Sequence, residues 1–173
     1  AYRRVCRLAV KYDKSKRCVQ LGFRQKQSQS LVEIDRCPVL TAALSALIVP
    51  LRAMLNSLGS YRDIGHVELY DTDSGLAMLL RHNGKPSVKD KALMQDFALQ
   101  HDCALYLQTT GTPEPLADVA PSFYQLDDLR LYFRPGDFLQ VNAAVNQRLV
   151  NYVLEWLMPA ATDNVLDLFC GIG

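Results

Sequence analysis

The stretch Val165-Leu166-Asp167-Leu168-Phe169 constrains this chain more than any other, because a continuous apolar run holding one carboxylate reads as a strand buried on both faces. Such strands belong to parallel sheets wrapped by helices. The turn that follows, Cys170-Gly171-Ile172-Gly173, leaves through glycines, which let backbone amides approach a ligand at the carboxyl edge of the sheet. Taken alone, the same turn is equally an ordinary β-turn that uses glycine for a positive φ.

The texture before that point is different. Tyr2 to Tyr12 alternates Val5, Arg7 and Ala9 with Arg4, Cys6, Leu8 and Val10, and Cys18 to Phe23 and Ser30 to Asp35 read as two further strands. From Thr41 to Leu58 the residues Leu44, Leu47, Ile48, Leu51, Leu55 and Leu58 recur every three or four positions, so an amphipathic helix is expected, interrupted or kinked at Pro50 and ended by Gly59. His66 to Tyr70 and Leu76 to Arg81 form a hairpin about Asp73, Ser74 and Gly75. Ser87 caps a second helix that runs to His101 with Leu93, Met94 and Phe97 inward, and Cys103 to Gln108 is a strand. Thr109 to Pro121 is a surface connection, and Ser122 to Gln125 pairs with Leu129 to Phe133. Beyond Pro135 and Gly136 a helix capped by Asn142 carries Val145, Leu149, Tyr152, Val153 and Trp156 on one stripe.

With 173 residues, 49% of them hydrophobic, the chain supports one complete domain and the beginning of another, divided as 1–134 and 135–173. The expected class is α+β: a central domain with an antiparallel sheet and flanking helices, then the first helix and first strand of a Rossmann-like unit. Neither a membrane span nor a signal peptide is expected, since no long apolar run occurs and Ala1 to Arg7 carries three arginines. Cysteines at 6, 18, 37, 103 and 170 are odd in number and irregularly spaced, which argues for reduced thiols and a cytoplasmic setting.

Charge is unevenly spread. Residues 1–36 hold ten Lys or Arg against three Asp or Glu, while the other 137 residues hold nine against fifteen. Arg3, Arg4, Arg7, Lys11, Lys14, Lys16, Arg17, Arg24 and Lys26, interleaved with Tyr2, Tyr12 and Phe23, suit a phosphate-contacting surface with rings for base stacking. The alternative is a solvated sheet face that serves solubility.

The segment Asp137-Phe138-Leu139-Gln140-Val141-Asn142 followed by Val165 to Gly173 resembles the entry to the catalytic domain of the RNA uracil-5 methyltransferases. Gly22-Phe23-Arg24, Arg36-Cys37-Pro38-Val39-Leu40 and Gly65-His66-Val67-Glu68-Leu69 extend the likeness, which is nearest to members acting on 23S ribosomal RNA. The resemblance implies that Gln140 and Phe169, with Gly171 in the glycine turn, belong to an S-adenosylmethionine site. A neutral amide and an aromatic ring suit that ligand. It also implies that Cys37 matches the last of four ligands to a 4Fe-4S cluster, the other three lying outside this chain.

Family members add a cysteine thiolate to carbon 6 of uracil, methylate carbon 5, and remove its proton with a carboxylate base, after drawing the base out of its stack. By the resemblance neither group lies in this chain, so no catalytic residue is assigned and the chain alone is expected to be inactive. Cys170 belongs to the donor-loop phrase. The expected partner is 23S ribosomal RNA, and the expected state a monomer. The other readings are a non-catalytic RNA-binding module and a nucleotide-dependent enzyme of another class. Asp167 is read as orienting its loop, and His66 with Glu68, two apart on one strand face, as structural for want of a third metal ligand.

Overall fold

The computed structural model describes residues 1–28 and 30–172. Strands β1 (Val5–Asp13), β2 (Cys18–Arg24) and β3 (Leu31–Glu33) precede helix α1 (Ala42–Ser57), and a short 3₁₀ turn leads into the hairpin β4 (Ile64–Thr72) and β5 (Gly75–His82). Helix α2 (Val88–Gln100), β6 (Cys103–Gln108) and the two-residue β7 (Glu114–Pro115) complete one sheet, and the hairpin β8 (Phe123–Leu126) and β9 (Leu129–Tyr132) precedes helix α3 (Ala143–Leu157). The large sheet has the order β3-β2-β1-β4-β5-β6-β7. Its neighbours are antiparallel except for β5 and β6, which are parallel because α2 carries the chain back across the sheet. The expected antiparallel sheet with flanking helices is thus present, with one parallel step.

Alternation decides which way each strand faces. Cys6, Leu8 and Val10 of β1, Val19 and Leu21 of β2 and Val67 and Leu69 of β4 join Leu44, Leu47, Ile48, Leu51 and Leu55 of α1 and Met94 and Phe97 of α2 in the main core. Thr41 caps α1 by accepting from the Leu44 amide at 3.5 Å, and Ser87 caps α2 by accepting from the Asp90 amide at 3.0 Å. The chain stays helical through Pro50, where an interruption or kink is expected. Each of the six buried apolar residues of α1 contributes on the order of 1.5–3 kcal/mol, which together outweighs the roughly 3 kcal/mol that an interior proline costs.

Asp90, on the first turn of α2, ties the two helical layers together. Its carboxylate accepts from the Gly59 amide at 2.7 Å, the Ser60 amide at 3.1 Å and the Ser60 hydroxyl at 2.7 Å, so α1 ends where α2 begins.

The opposite face of the sheet is only half covered. Tyr70, Ala77, Leu79 and Tyr106 pack beneath Tyr124, Phe133 and Leu139 as a second cluster. Helix α3 follows with Asn142 accepting from the Val145 amide at 3.1 Å, as its sequence predicts, but none of its residues is buried.

One expectation fails here. Val165 to Phe169 forms no strand, and among the described residues no strand beyond β9 joins either sheet. A strand exists only by exchanging backbone hydrogen bonds with a neighbour, and no described strand edge runs beside this segment. Of the anticipated start of a Rossmann-like unit the helix is therefore formed and the strand is not. Gly173 lies outside the described residues.

Candidate nucleic-acid interface and donor segment

On the face away from α1 and α2, the register sets Arg7 opposite Glu68, Ala9 opposite both His66 and Gly22, and His66 opposite Arg81. With Lys11 and Arg24 at the same parity, cations ring a floor of small residues. Shallow hollows lie there, one lined by Arg7, Ala9, Arg24, Gly65 and His66 and one by Ala9, Lys11, Arg24 and Leu31. Gly65 sits in a register shift between Ile64 and His66, and a Cβ on it would meet nothing within 4 Å, so the surface stays open at that point.

Glu68 is the counter-charge of this face, with a side chain only 12% exposed. Arg81 reaches its Oε1 from Nε and Nη2, both at 3.2 Å, Arg7 Nε lies 4.0 Å away, and His66 Nε2 lies at 3.6 Å. Arg7 also approaches His66 Nδ1 at 3.1 Å from Nη2. A guanidinium can only donate, so Nδ1 accepts and the imidazole is neutral with its proton on Nε2. Burial first, then Arg7 and Arg81, lower the His66 pKa to about 4 against the opposing pull of Glu68. The pair considered from sequence as a metal site is therefore a neutral histidine beside a carboxylate claimed by arginines. Among the described residues no group of three His, Cys, Asp or Glu is placed to hold a metal.

Two members of the predicted basic surface do other work. Arg4 is 8% exposed, its guanidinium lies 5.0 Å from the centre of the Tyr124 ring, and its Nε donates to the Gln140 carbonyl at 3.2 Å. It lies in a bend just before β1, so the alternation of the strand does not set its direction. Tyr12 stacks with Tyr61 at 4.8 Å and lies under Arg62, so its ring is already engaged. Arg7, Lys11, Lys14, Lys16, Arg17, Arg24 and Lys26 are exposed, as are Tyr2 and Phe23.

The segment bearing Gln140 is anchored at several points. Leu139 is 7% exposed in the second cluster, the Arg4 amide donates to the Val141 carbonyl at 2.9 Å, and the Gly136 amide donates to the Tyr70 hydroxyl at 2.8 Å. The Gln140 side chain itself faces solvent. Phe169 is fully exposed at φ +64°, Gly171 adopts φ +70°, and Ile172 packs against the same cluster as Leu139. The two segments thus share one apolar patch while both predicted ligand-facing side chains point into water.

Cys37 lies in the turn before α1, its amide donating to Ser45 Oγ at 3.0 Å and its side chain half-buried against the main core. Burial, then the neighbouring Cys37, pushes the Cys6 thiol up to about 12. A cubane cluster needs four thiolates or their equivalents, and the described residues around Cys37 do not make such a set.

Tyr70 was not among the residues singled out from sequence. Its signal was the succession His66, Glu68, Tyr70 on one strand face, three polar tips where alternation elsewhere supplies apolar ones.

No family model matches the chain. Curated proteins do. It is 82% identical over 173 residues to the 23S rRNA (uracil(1939)-C(5))-methyltransferase RlmD of Tolumonas auensis, covering 100% of this chain and 39% of that protein. The proteins of the same name from Aeromonas hydrophila and Pseudomonas fluorescens are 55% and 44% identical, over 100% and 99% of this chain and 40% and 38% of theirs. This chain therefore spans about two fifths of the length of the curated relatives it matches. Among solved structures, the tRNA (uracil-54, C5)-methyltransferase of Pyrococcus abyssi, in complex with S-adenosyl-L-homocysteine, superposes with a TM-score of 0.66 at 19% identity, over 89% of this chain and 40% of that one. That likeness concerns the fold.

Proposed function

Along its whole length this chain belongs with the RNA uracil-5 methyltransferases of the 23S ribosomal kind, and from that premise we propose that the protein carrying it moves a methyl group from S-adenosylmethionine to carbon 5 of a uracil in 23S rRNA. The observation that carries this reading is identity of 82% without a break in coverage. The uracil is the counterpart of position 1939, the one in the names of the relatives.

Within that reaction the chain contributes docking and approach, and supplies no nucleophile or base. The cations of the open sheet face neutralise phosphates, and their release of counterions makes binding salt-sensitive. Lys14, Lys16 and Arg17 extend the same charge along the β1–β2 turn, where Asp13 Oδ1 fixes the loop by accepting from the Ser15 amide at 2.8 Å. S-adenosylmethionine, when bound, supplies the electrophilic methyl group. Gln140 offers it an uncharged amide on a backbone that Arg4 and Leu139 anchor, and Phe169 and Gly171 stand in the turn whose Ile172 packs on the same cluster. Cys37 is the chain's ligand to a 4Fe-4S cluster in the whole protein. The protein works as a monomer in the cytoplasm.

The test is transfer of labelled methyl from S-adenosylmethionine to unmodified 23S rRNA by the full-length protein. Label should appear at carbon 5 of one uracil. Label at another base, or none, overturns the reading. The purified 173-residue chain should bind that RNA and transfer nothing.

A further inference from the structure

The turn that leads into the Gln140 segment rests on the counter-charge of the basic face. Gly136 takes φ +109°, a conformation suited to glycine, and a Cβ there would lie 3.5 Å from Leu79 Cδ2 and 4.0 Å from Arg81 Nη2. Its amide donates to the Tyr70 hydroxyl at 2.8 Å, and that hydroxyl donates onward to Glu68 Oε2 at 2.5 Å. Tyr70 is 1% exposed, so neither bond is exchanged readily with water. The other oxygen of Glu68 receives Arg81 and faces Arg7 and His66. One half-buried carboxylate thus orients the hydroxyl that holds the Gly136 turn and balances the cations that face the open surface.

We propose that Tyr70 is a positioning residue for the methyl donor: oriented by Glu68, it fixes the Gly136 turn and so the approach of Gln140, and a phosphate bound at Arg7 and Arg81 acts on the same hydroxyl through Glu68. The inference rests on the reading that Gln140 contacts S-adenosylmethionine. Its physical content is competition. A phosphate that draws on Arg7 and Arg81 leaves more of the Glu68 charge for Tyr70, the hydroxyl is held more firmly, and the turn with it. RNA then favours donor binding, and by linkage the donor favours RNA by the same factor.

The experiment uses the full-length enzyme, measuring kcat, donor KM, and S-adenosylmethionine affinity with and without a 23S rRNA fragment. Tyr70→Phe should raise the donor KM roughly three- to tenfold, the worth of one hydrogen bond, with kcat at saturating donor and donor-free RNA affinity unchanged, and should remove the gain in donor affinity that RNA confers. Glu68→Gln keeps an acceptor for Tyr70 but not the charge. It should retain donor affinity without RNA and lose the RNA-dependent gain. Gln140→Ala is the reference and should itself raise the donor KM. If it does while Tyr70→Phe and Glu68→Gln leave donor affinity and its RNA dependence at wild-type values, the positioning role is overturned and the reading of Gln140 stands. If Gln140→Ala leaves donor affinity intact, that reading fails and the inference with it. Equal donor affinity in the wild type with and without RNA overturns the coupling.

Discussion

Tyr70 and Glu68 lie two residues apart on β4 and meet at 2.5 Å, the phenol donating to the carboxylate. Side chains at i and i+2 share a face of a strand, so the contact costs no distortion, and it places a half-buried acceptor beneath both the basic surface and the Gly136 turn. Burial, followed by Glu68 itself, raises the Tyr70 pKa well above the usual tyrosine range, so the phenol remains a donor at any working pH.

Asp90→Ala should destabilise the chain by about 1–3 kcal/mol, since it leaves the partly buried Gly59 and Ser60 amides without their acceptor. Urea unfolding at neutral pH measures this. A loss under about 0.5 kcal/mol would mean that water replaces the carboxylate at no cost.

The same residue sets an acid dependence. Burial raises the Asp90 pKa, but the bonds from Ser60 and Gly59 outweigh it and the folded value lies below the ordinary one. A depressed carboxylate contributes stability that is complete above its unfolded pKa and disappears as pH falls through the folded one. Urea midpoints between neutral pH and pH about 3 should therefore fall less in Asp90→Asn than in the wild type.

His66 adds a second, higher window. Its folded pKa of about 4 lies below the ordinary histidine value of 6.5, so the unfolded chain binds the proton first and stability declines as pH drops from about 6.5 to about 4. His66→Asn should flatten that part of the curve. A wild-type midpoint constant across the window would contradict the neutral imidazole.

Arg4 and Arg7 are three residues apart yet should behave oppositely. Arg4→Ala removes the bond to the Gln140 carbonyl and a buried packing surface, and should cost about 1–3 kcal/mol of stability with RNA affinity of the folded protein largely kept. Arg7→Ala should leave stability nearly unchanged and lower RNA affinity, with the slope of log affinity against log salt smaller by about one. Filter binding across a salt series, beside thermal unfolding, separates the two.

Much of the fold was legible because its signals are local. Ser87 and Asn142 cap the helices they were expected to cap, and the alternation of β1 set Cys6, Leu8 and Val10 on one face, which is the buried one. What escaped depends on distant partners. Arg4 reads as one more cation until Tyr124 and Gln140 arrive from more than a hundred residues away, and the two-residue β7 has no pattern to read. Val165 to Phe169 shows the converse, a strand-like run whose pairing partners are absent from the described sheets. The Gln140 and Phe169 assignments came from motif resemblance, and their exposed side chains keep them a matter for binding experiments.

Leu139 is sunk into the second cluster while every residue of α3 after Asn142 stands clear of it. The backbone therefore leaves that cluster at Leu139, like a rail bolted to a gatepost, and meets it again at Ile172. The stretch between is fastened at both ends to one wall, so the sheet sets the place of a helix that buries nothing against it.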